Sequence, residues 1–235
     1  MHSSETYAIG LMSGTSLDGL DLVFVKFKYG NSYQFEILSQ ETVKYSKEWR
    51  SKLKNGIHTK DKGLEVLDIE YGAFLGMQVN EFIRKNNIRK VDFIASHGHT
   101  ILHQPEKGIT YQIGNLPALG IRLRHHVKTV VCDFRVQDVK LGGQGAPLVP
   151  IGDELLFSEY DYCLNLGGFA NVSFHKDGKR IAYDVCPVNI VLNKYAKQLG
   201  FAYDDKGNLA KSGEYLLSLG SALHNLSYYK QKPPK

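Results

Sequence analysis

The stretch Gly10-Leu-Met-Ser-Gly-Thr-Ser-Leu-Asp-Gly-Leu-Asp21 constrains this chain more than any other. The apolar run Tyr7 to Met12 enters it, and Leu22-Val-Phe-Val-Lys-Phe-Lys28 leaves it. β-Branched and aromatic residues on either side of a cluster of small residues predict a strand, a tight turn and a second strand. Gly14 and Gly19 permit positive φ or the close approach of another group to the backbone. Thr15 and Ser16 offer hydroxyls, and the N–H groups of such a turn can face inward as an anion nest. Asp18 and Asp21 repel a bare phosphate but suit one that arrives with a divalent metal. On composition alone the turn reads as a hairpin closed by local side-chain bonds. A Walker loop and a dinucleotide fingerprint both open a helix. Here no Lys follows the glycines and a strand comes next, so neither applies.

The rest of the chain alternates strands and helices. Leu22–Tyr29 and Tyr33–Val43 predict an antiparallel meander turning at Gly30-Asn31-Ser32. Glu48–Asn55 predicts a short helix stopped by Gly56. Leu67, Ile69, Phe74, Leu75, Val79, Phe82 and Ile83 recur near the helical period, so Leu64–Asn86 predicts a long amphipathic helix. Tyr71, Phe74 and Phe82 on it read as core. Val91–Ala95 is a buried strand that runs into Ser96-His-Gly-His-Thr100, the kind of place where α/β proteins bind ligands. A helix over Pro117–His126, a strand over Thr129–Asp133 and a flexible loop at Leu141–Pro147 follow, then a helix over Pro150–Phe157.

From Asp161 the opening pattern returns. Leu164-Asn-Leu-Gly-Gly-Phe-Ala-Asn-Val-Ser-Phe174 reads as strand, glycine turn, strand, and Arg180–Asp184 as a third strand after Lys176-Asp177-Gly178. Helices are expected over Val188–Leu199 and Gly213–Tyr229. Two glycine-led meanders suggest an internal duplication. The expected halves are 1–158 and 159–235, each a ribonuclease-H-like α/β unit, with a nucleotide in the cleft between them. The second half reads as truncated, because it lacks parallel strands like Val91–Ala95 and Thr129–Asp133.

Composition excludes several classes. With 235 residues and 43% hydrophobic content, a sizeable core is expected. The net charge of +5 is modest and lacks a basic stripe with interleaved aromatics, so no nucleic-acid partner is expected. It fits an anionic substrate. Cys132, Cys163 and Cys186 have no metal spacing and read as free thiols in a reducing cytoplasm. Neither a signal peptide nor a membrane span is visible.

Three places offer chemistry. Asp184 ends an apolar strand ahead of the Pro187-Val188-Asn189 turn, where a carboxylate is either a general base or a helix cap. Arg135, beside Asp133 and Asp138, is either a fork for a carboxylate or phosphate, or half of a surface pair with Asp133. Glycines 142, 143 and 145 favour the first reading. His97 and His99 are spaced like metal ligands on a strand, but without an evident third ligand they read as hydrogen-bonding or structural histidines.

Taken in order, these motifs closely resemble one family. They are the Gly10–Asp21 stretch, Ser96-His-Gly-His-Thr100, Gln112-Ile-Gly-Asn115, Asp133-Phe-Arg135, Gly142-Gly-Gln-Gly-Ala-Pro-Leu-Val-Pro150 and Leu164-Asn-Leu-Gly-Gly-Phe-Ala-Asn171. The family is anhydro-N-acetylmuramic acid kinase, within the sugar kinase and actin superfamily. The resemblance implies a duplicated ribonuclease-H-like α/β fold, its second half incomplete here. It implies an ATP- and Mg²⁺-dependent cytoplasmic enzyme of peptidoglycan recycling, which opens the anhydro bridge of 1,6-anhydro-N-acetylmuramic acid and phosphorylates the freed oxygen. Ala182-Tyr-Asp-Val-Cys-Pro-Val-Asn189 matches the family's catalytic motif, so Asp184 is implied as the base that activates water. Gly14, Thr15, Ser16, Leu17, Asp18, Gly19, Leu20 and Asp21 are implied to hold the ATP phosphates, and Gly167, Gly168 and Asn171 to form a second phosphate loop. His97, Asp133, Arg135, Gln144, Gly145, Pro187 and Asn189 are implied to line the amino-sugar side. No protein ligand of Mg²⁺ is assigned beyond Asp18 as a candidate. A homodimer is compatible with the resemblance.

Two departures stand out. Cys186 and Val188 replace family glycines, and the chain ends earlier than family members do. Weak nucleotide binding and an exposed apolar surface are therefore expected. The alternatives are a non-catalytic sugar-binding remnant and a kinase for an unbridged N-acetylhexosamine.

Overall fold

The computed structural model describes residues 4–14, 17–30, 32–59, 62–121, 123, 127 and 129–232. The chain is a mixed α/β protein of two compact units, Met1–Leu148 and Val149–Lys235.

The first unit opens with β1 (Ser4–Ser13), β2 (Gly19–Tyr29) and β3 (Tyr33–Lys44), a continuous antiparallel meander. Helices α1 (Lys47–Asn55) and α2 (Lys62–Lys85) then lead to β4 (Phe93–Ser96). A hairpin of β5 (His99–Gln104) and β6 (Ile109–Ile113) forms its own two-stranded sheet. Next come α3 (Ala118–Ile121), β7 (Val130–Cys132) and α4 (Phe134–Lys140). The main sheet has the order β3-β2-β1-β4-β7, antiparallel on the meander side and parallel across β1, β4 and β7.

The core lies between this sheet and α2. Ile9 and Ile94 on paired strands are fully buried, as are Tyr71 and Val79 on the helix. Leu67, Tyr71, Leu75, Val79 and Phe82 fall on one stripe at three- and four-residue steps, so the helical period buries one face. Each such aliphatic or aromatic side chain contributes about 1.5–3 kcal/mol by leaving water. Ser46 caps α1, accepting from the Trp49 N–H at 3.1 Å.

Helix α1 ends at Asn55 with Gly56 as its cap, where the sequence predicts the stop, but not through a left-handed glycine. Its φ of −52° is right-handed, and the chain continues as a 3₁₀ turn, Gly56–His58. A Cβ at Gly56 would lie 2.5 Å from Ile101 Cδ1, the tip of a side chain that can turn aside. At Gly72 in α2 space does require glycine, because a Cβ would lie 2.5 Å from the Ala118 Cβ and 2.9 Å from the Leu119 nitrogen. The helix expected over Pro117–His126 is observed as Ala118–Ile121, and its latter part falls mostly outside the described residues.

The second unit starts with α5 (Pro150–Leu156), followed by β8 (Tyr162–Leu166), β9 (Phe169–Lys176) and β10 (Lys179–Pro187). They form a three-stranded antiparallel sheet of order β10-β9-β8, with Asp177 and Gly178 both at positive φ in the β9–β10 turn. The division at 148/149 falls before the expected 158/159 because α5 packs on β10. Asp153 accepts from Ser173 Oγ, which in turn accepts from Arg180 Nη2 at 2.8 Å.

Helix α6 (Asn189–Gln198) follows the sheet. The single helix expected over Gly213–Tyr229 is instead two, α8 (Leu217–His224) and α9 (Ser227–Lys230), and a short helix, α7 (Asn208–Ser212), precedes them. Asp204 fixes the early start, accepting from the Leu209 N–H at 2.7 Å and the Ala210 N–H at 3.0 Å. Gly213 and Leu226 are extended, with ψ of 175° and 138°, and break the run. Large apolar side chains of this unit face solvent, among them Leu164, Leu166, Tyr215 and Leu217.

Candidate active site

In the first unit the opening loop joins β1 to β2. Leu17 is left-handed, with φ of 59°, and its N–H donates to the Gly14 carbonyl at 3.3 Å. A non-glycine residue held at positive φ stores backbone strain, a feature that clusters at ligand-binding turns. Thr15 and Ser16 lie outside the described residues. Gly19 has no room for a side chain, because a Cβ would stand 2.6 Å from the Val43 carbonyl oxygen. Leu20 is core, at 1% exposure. Asp21 accepts from Thr42 Oγ1 at 2.6 Å across the β2–β3 pair. Asp18 is exposed on the turn. Glycine and leucine thus set the shape of the loop, Asp21 ties it to β3, and Asp18 presents a carboxylate to solvent.

The loop's base is anchored by a buried hydroxyl chain. Ser13 Oγ is 2.8 Å from His99 Nδ1 and accepts from the Tyr45 hydroxyl at 2.8 Å. The Tyr45 and Tyr71 hydroxyls are 2.7 Å apart. Burial pushes the Tyr45 and Tyr71 hydroxyls up and pulls His99 down to about 4, so all four groups are neutral at pH 7.

A second cluster forms where β4 and β7 end, beside the β5–β6 hairpin. Arg135 Nε donates to His97 Nε2 at 3.0 Å, and Nη1 donates to the Gly145 carbonyl at 3.0 Å. The Gly145 N–H donates to Asp138 Oδ2 at 2.7 Å. Asn115 Nδ2 donates to the Gln112 carbonyl at 3.2 Å and to Asp133 Oδ1 at 3.3 Å. His97 Nδ1 is 3.1 Å from the Gly98 carbonyl. A carbonyl only accepts, so Nδ1 carries the proton and Nε2 is the acceptor that the guanidinium needs. Burial lowers the His97 pKa, the Gly98 bond opposes that, and the Arg135 charge adds to it. Burial raises the Asp133 carboxyl, with Lys140 opposing and Asp68 adding to the shift.

Two sequence expectations change here, and one alternative falls away. The strand ending at Asp133 is followed by helix α4, so Asp133 is left-handed, with φ of 62°, and Arg135 sits in a first helical turn. The local Asp133–Arg135 pair does not occur among the ion pairs of the described residues, since each side chain is committed elsewhere. The Leu141–Pro147 loop has a packing role, because Gly145 is buried and bonded through both its N–H and its carbonyl. Gln144 beside it is exposed. The sequence reading gave no role to Gln112 or Asn115, although both lie in the Gln112-Ile-Gly-Asn115 motif that it singled out.

In the second unit Asp184 lies within β10 rather than at its end. It is exposed, directly opposite Asn171 of β9, and a bulge separates it from Cys186. Asn171 is itself opposite Asn165 of β8, so Asn165, Asn171 and Asp184 form one polar row across the sheet. The sequence reading gave no role to Asn165, although it lies in the Leu164–Asn171 motif that it singled out. The glycine turn binds the start of α6: the Gly168 carbonyl accepts from Val188 N–H at 2.8 Å and Ile190 N–H at 3.2 Å, and Gly167 accepts from Asn189 N–H at 3.2 Å. The Asn189 side chain donates to the Leu166 carbonyl at 3.1 Å. Thus Gly167, Gly168 and Asn189 share one backbone network, while Pro187 lies opposite Phe169 on the strand that carries Asp184. Among the described residues no group of three or more His, Cys, Asp or Glu is arranged to hold a metal ion.

The mixed α/β fold thus carries an acidic strand–turn–strand loop with a left-handed Leu17 in its first unit and a strand-borne carboxylate, Asp184, in its second. The family model of anhydro-N-acetylmuramic acid kinase matches residues 6–235. The chain belongs to that family. An anhydro-N-acetylmuramic acid kinase of Shewanella woodyi is 35% identical over 242 residues, covering 99% of this chain and 65% of the relative. That of Pseudoalteromonas translucida is 34% identical, covering 97% and 62%, and that of Bacillus thuringiensis subsp. konkukian is 30% identical, covering 97% and 64%. The chain therefore spans somewhat less than two thirds of the length of these relatives. No described helix is long and apolar enough to cross a membrane.

Proposed function

We propose that this chain carries the sugar-phosphorylating site of its family, with ATP as donor and 1,6-anhydro-N-acetylmuramic acid as acceptor, in the cytoplasm. The observation that carries the reading is Asp184: an exposed carboxylate on a sheet strand, fixed opposite Asn171 and next to the glycine turn that holds α6. A rigid strand keeps a general base within hydrogen-bond reach of its proton. Asp184 takes the proton of the water that attacks the anomeric carbon. The bridge oxygen, released from that carbon, becomes the phosphoryl acceptor. Bound ATP with Mg²⁺ supplies the phosphoryl group and screens its charge.

The Gly14–Asp21 loop serves as the first phosphate loop, with Asp18 toward the metal, and Gly167, Gly168 and Asn171 form the second. His97, Asp133, Arg135, Gln144, Gly145, Pro187 and Asn189 hold the sugar. In support of a duplicated ribonuclease-H-like fold, the first sheet has three antiparallel strands flanked by two parallel ones, and the second repeats the antiparallel part. Cys186 and Val188, where the family has glycine, leave Asp184 and Asn189 in place.

The test is ADP release with the anhydro-sugar, run on this chain and on a version extended to the relatives' length. Turnover by the extended protein that Asp184→Asn abolishes supports the reading. ADP release with an unbridged N-acetylhexosamine but not with the anhydro-sugar would replace the substrate.

A further inference from the structure

A cavity of about 450 Å³ opens where the first half of β1 meets the chain leaving α2. No residue of the candidate active site lines it. Tyr7, on its wall, and Ser13, at the base of the opening loop, stand roughly 20 Å apart along β1.

Strands β1 and β2 supply the Tyr7 and Phe24 rings, stacked with centroids 6.0 Å apart. Strand β3 supplies Leu38 and Ser39. Ser39 pairs with Phe24 and Ile37 with Val25, so Leu38 is the extra residue of a bulge. Bulges re-aim side chains and recur beside binding sites. The stretch Asn86–Lys90 closes the remaining side. Backbone bonds hold it there, from the Asn87 N–H to the Arg84 carbonyl at 3.3 Å and from the Ile88 N–H to the Ile83 carbonyl at 3.0 Å.

Most of the wall is apolar and one edge is basic. Lys90 Nζ lies 5.0 Å from the Tyr7 ring centroid and 3.5 Å from Asp92 Oδ2. The same Asp92 oxygen accepts from the Tyr7 N–H at 2.8 Å. Of the other cations at this end of α2, Arg84 pairs with Glu81 and Lys85 with Glu41. No ion pair to Arg89 occurs among the described residues. An unpaired arginine on a surface means little by itself. Here it borders a largely apolar cavity of the size that small ligands fill, with the Ser39 hydroxyl and the Asn87 amide as further polar groups. Arg89 has no acid and Lys90 shares one, so the edge matches a single negative charge. A carboxylate meets that condition, and a guanidinium fork binds it through two bonds. A doubly charged phosphate would also face Asp92.

We propose that this cavity binds a small organic carboxylate, its apolar body against Phe24, Leu38 and Ile88 and its charge on Arg89, with Lys90 in support. The inference does not depend on the kinase reading.

Amide chemical-shift titration of the full chain tests it, with benzoate, acetate and benzyl alcohol as probes. Acetate lacks the ring and benzyl alcohol lacks the charge. The amides of Asn87, Ile88, Arg89 and Lys90 report on this cavity and not on the Arg135 cluster. Benzoate is expected to move them at a concentration about tenfold below that of either other probe, as a charge-assisted bond and a buried ring provide. In Arg89→Gln, at an exposed position, benzoate should fall to the level of benzyl alcohol. In Leu38→Ser it should fall towards that of acetate. No movement of these amides, equal responses to benzoate and benzyl alcohol, or benzoate binding unchanged in Arg89→Gln overturns the proposal. Phenyl phosphate binding more tightly than benzoate at these amides overturns the choice of anion. The wild-type comparison needs no variant to fold.

Discussion

The guanidinium of Arg135 donates through Nε to Nε2 of His97, 3.0 Å away and 38 residues back in the chain. The bond exists only while His97 is neutral and protonated on Nδ1, which the Gly98 carbonyl secures. A proton on Nε2 would set N–H against N–H. The arrangement makes the first unit sensitive to acid.

Acid should destabilise the first unit. His97 and His99 both have folded-state pKa values below the ordinary 6.5, His99 at about 4, mainly through burial. Such groups contribute stability that is complete above pH 6.5 and is lost as the pH falls towards their folded values. The shift of His99 corresponds to roughly 3 kcal/mol. Trp49 packs on Tyr71 and Phe74, so its fluorescence during urea unfolding reports on this unit. The midpoint should fall between pH 7 and pH 4, and His99→Gln should flatten that fall.

Breaking the hydroxyl chain beneath the opening loop should cost stability even at neutral pH. Tyr71→Phe removes one hydroxyl and leaves Tyr45 with Ser13 alone. A loss of about 1–2 kcal/mol is expected from one buried hydrogen bond. A midpoint equal to the wild type's in the same urea experiment would show that the chain contributes nothing.

Gly19→Ala should be worse than a glycine-to-alanine change in an open turn. The new methyl would stand 2.6 Å from the Val43 carbonyl oxygen, which the β2–β3 pairing holds in place. Overpacking of this kind costs about 1–3 kcal/mol. Gly178→Ala meets nothing within 4 Å and carries only the strain of its φ of 74°, so it is the matched control.

Asn171→Asp would place a second carboxylate directly across the strand pair from Asp184. Like charges directly opposite each other on a strand pair are destabilising, so the urea midpoint of the second unit, read by circular dichroism, should fall below the wild type's. An unchanged midpoint would place the two side chains too far apart to interact.

Much of the local structure was legible. The meander β1–β3, the second meander β8–β10 and the long helix α2 follow from alternation, turn residues and the helical period. These are signals between residues close in sequence, where local sterics decide. One failure was local too: Gly213–Tyr229 was read as one helix because its break at extended backbone leaves little mark in composition.

The order of motifs and the residue types that could do chemistry were determined by the sequence alone. Which of them meet was decided only by the tertiary structure. Arg135 had Asp133 and Asp138 within three positions, yet it bonds to His97 and Gly145, while Asp133 takes Asn115. Likewise Asp184 faces Asn171, and through it Asn165, because of strand register. Register and partner choice are set by which faces the sheet and the helices bury together, a balance summed over the whole core. No short stretch of sequence contains that sum, so the site's residues could be named from the chain but not paired.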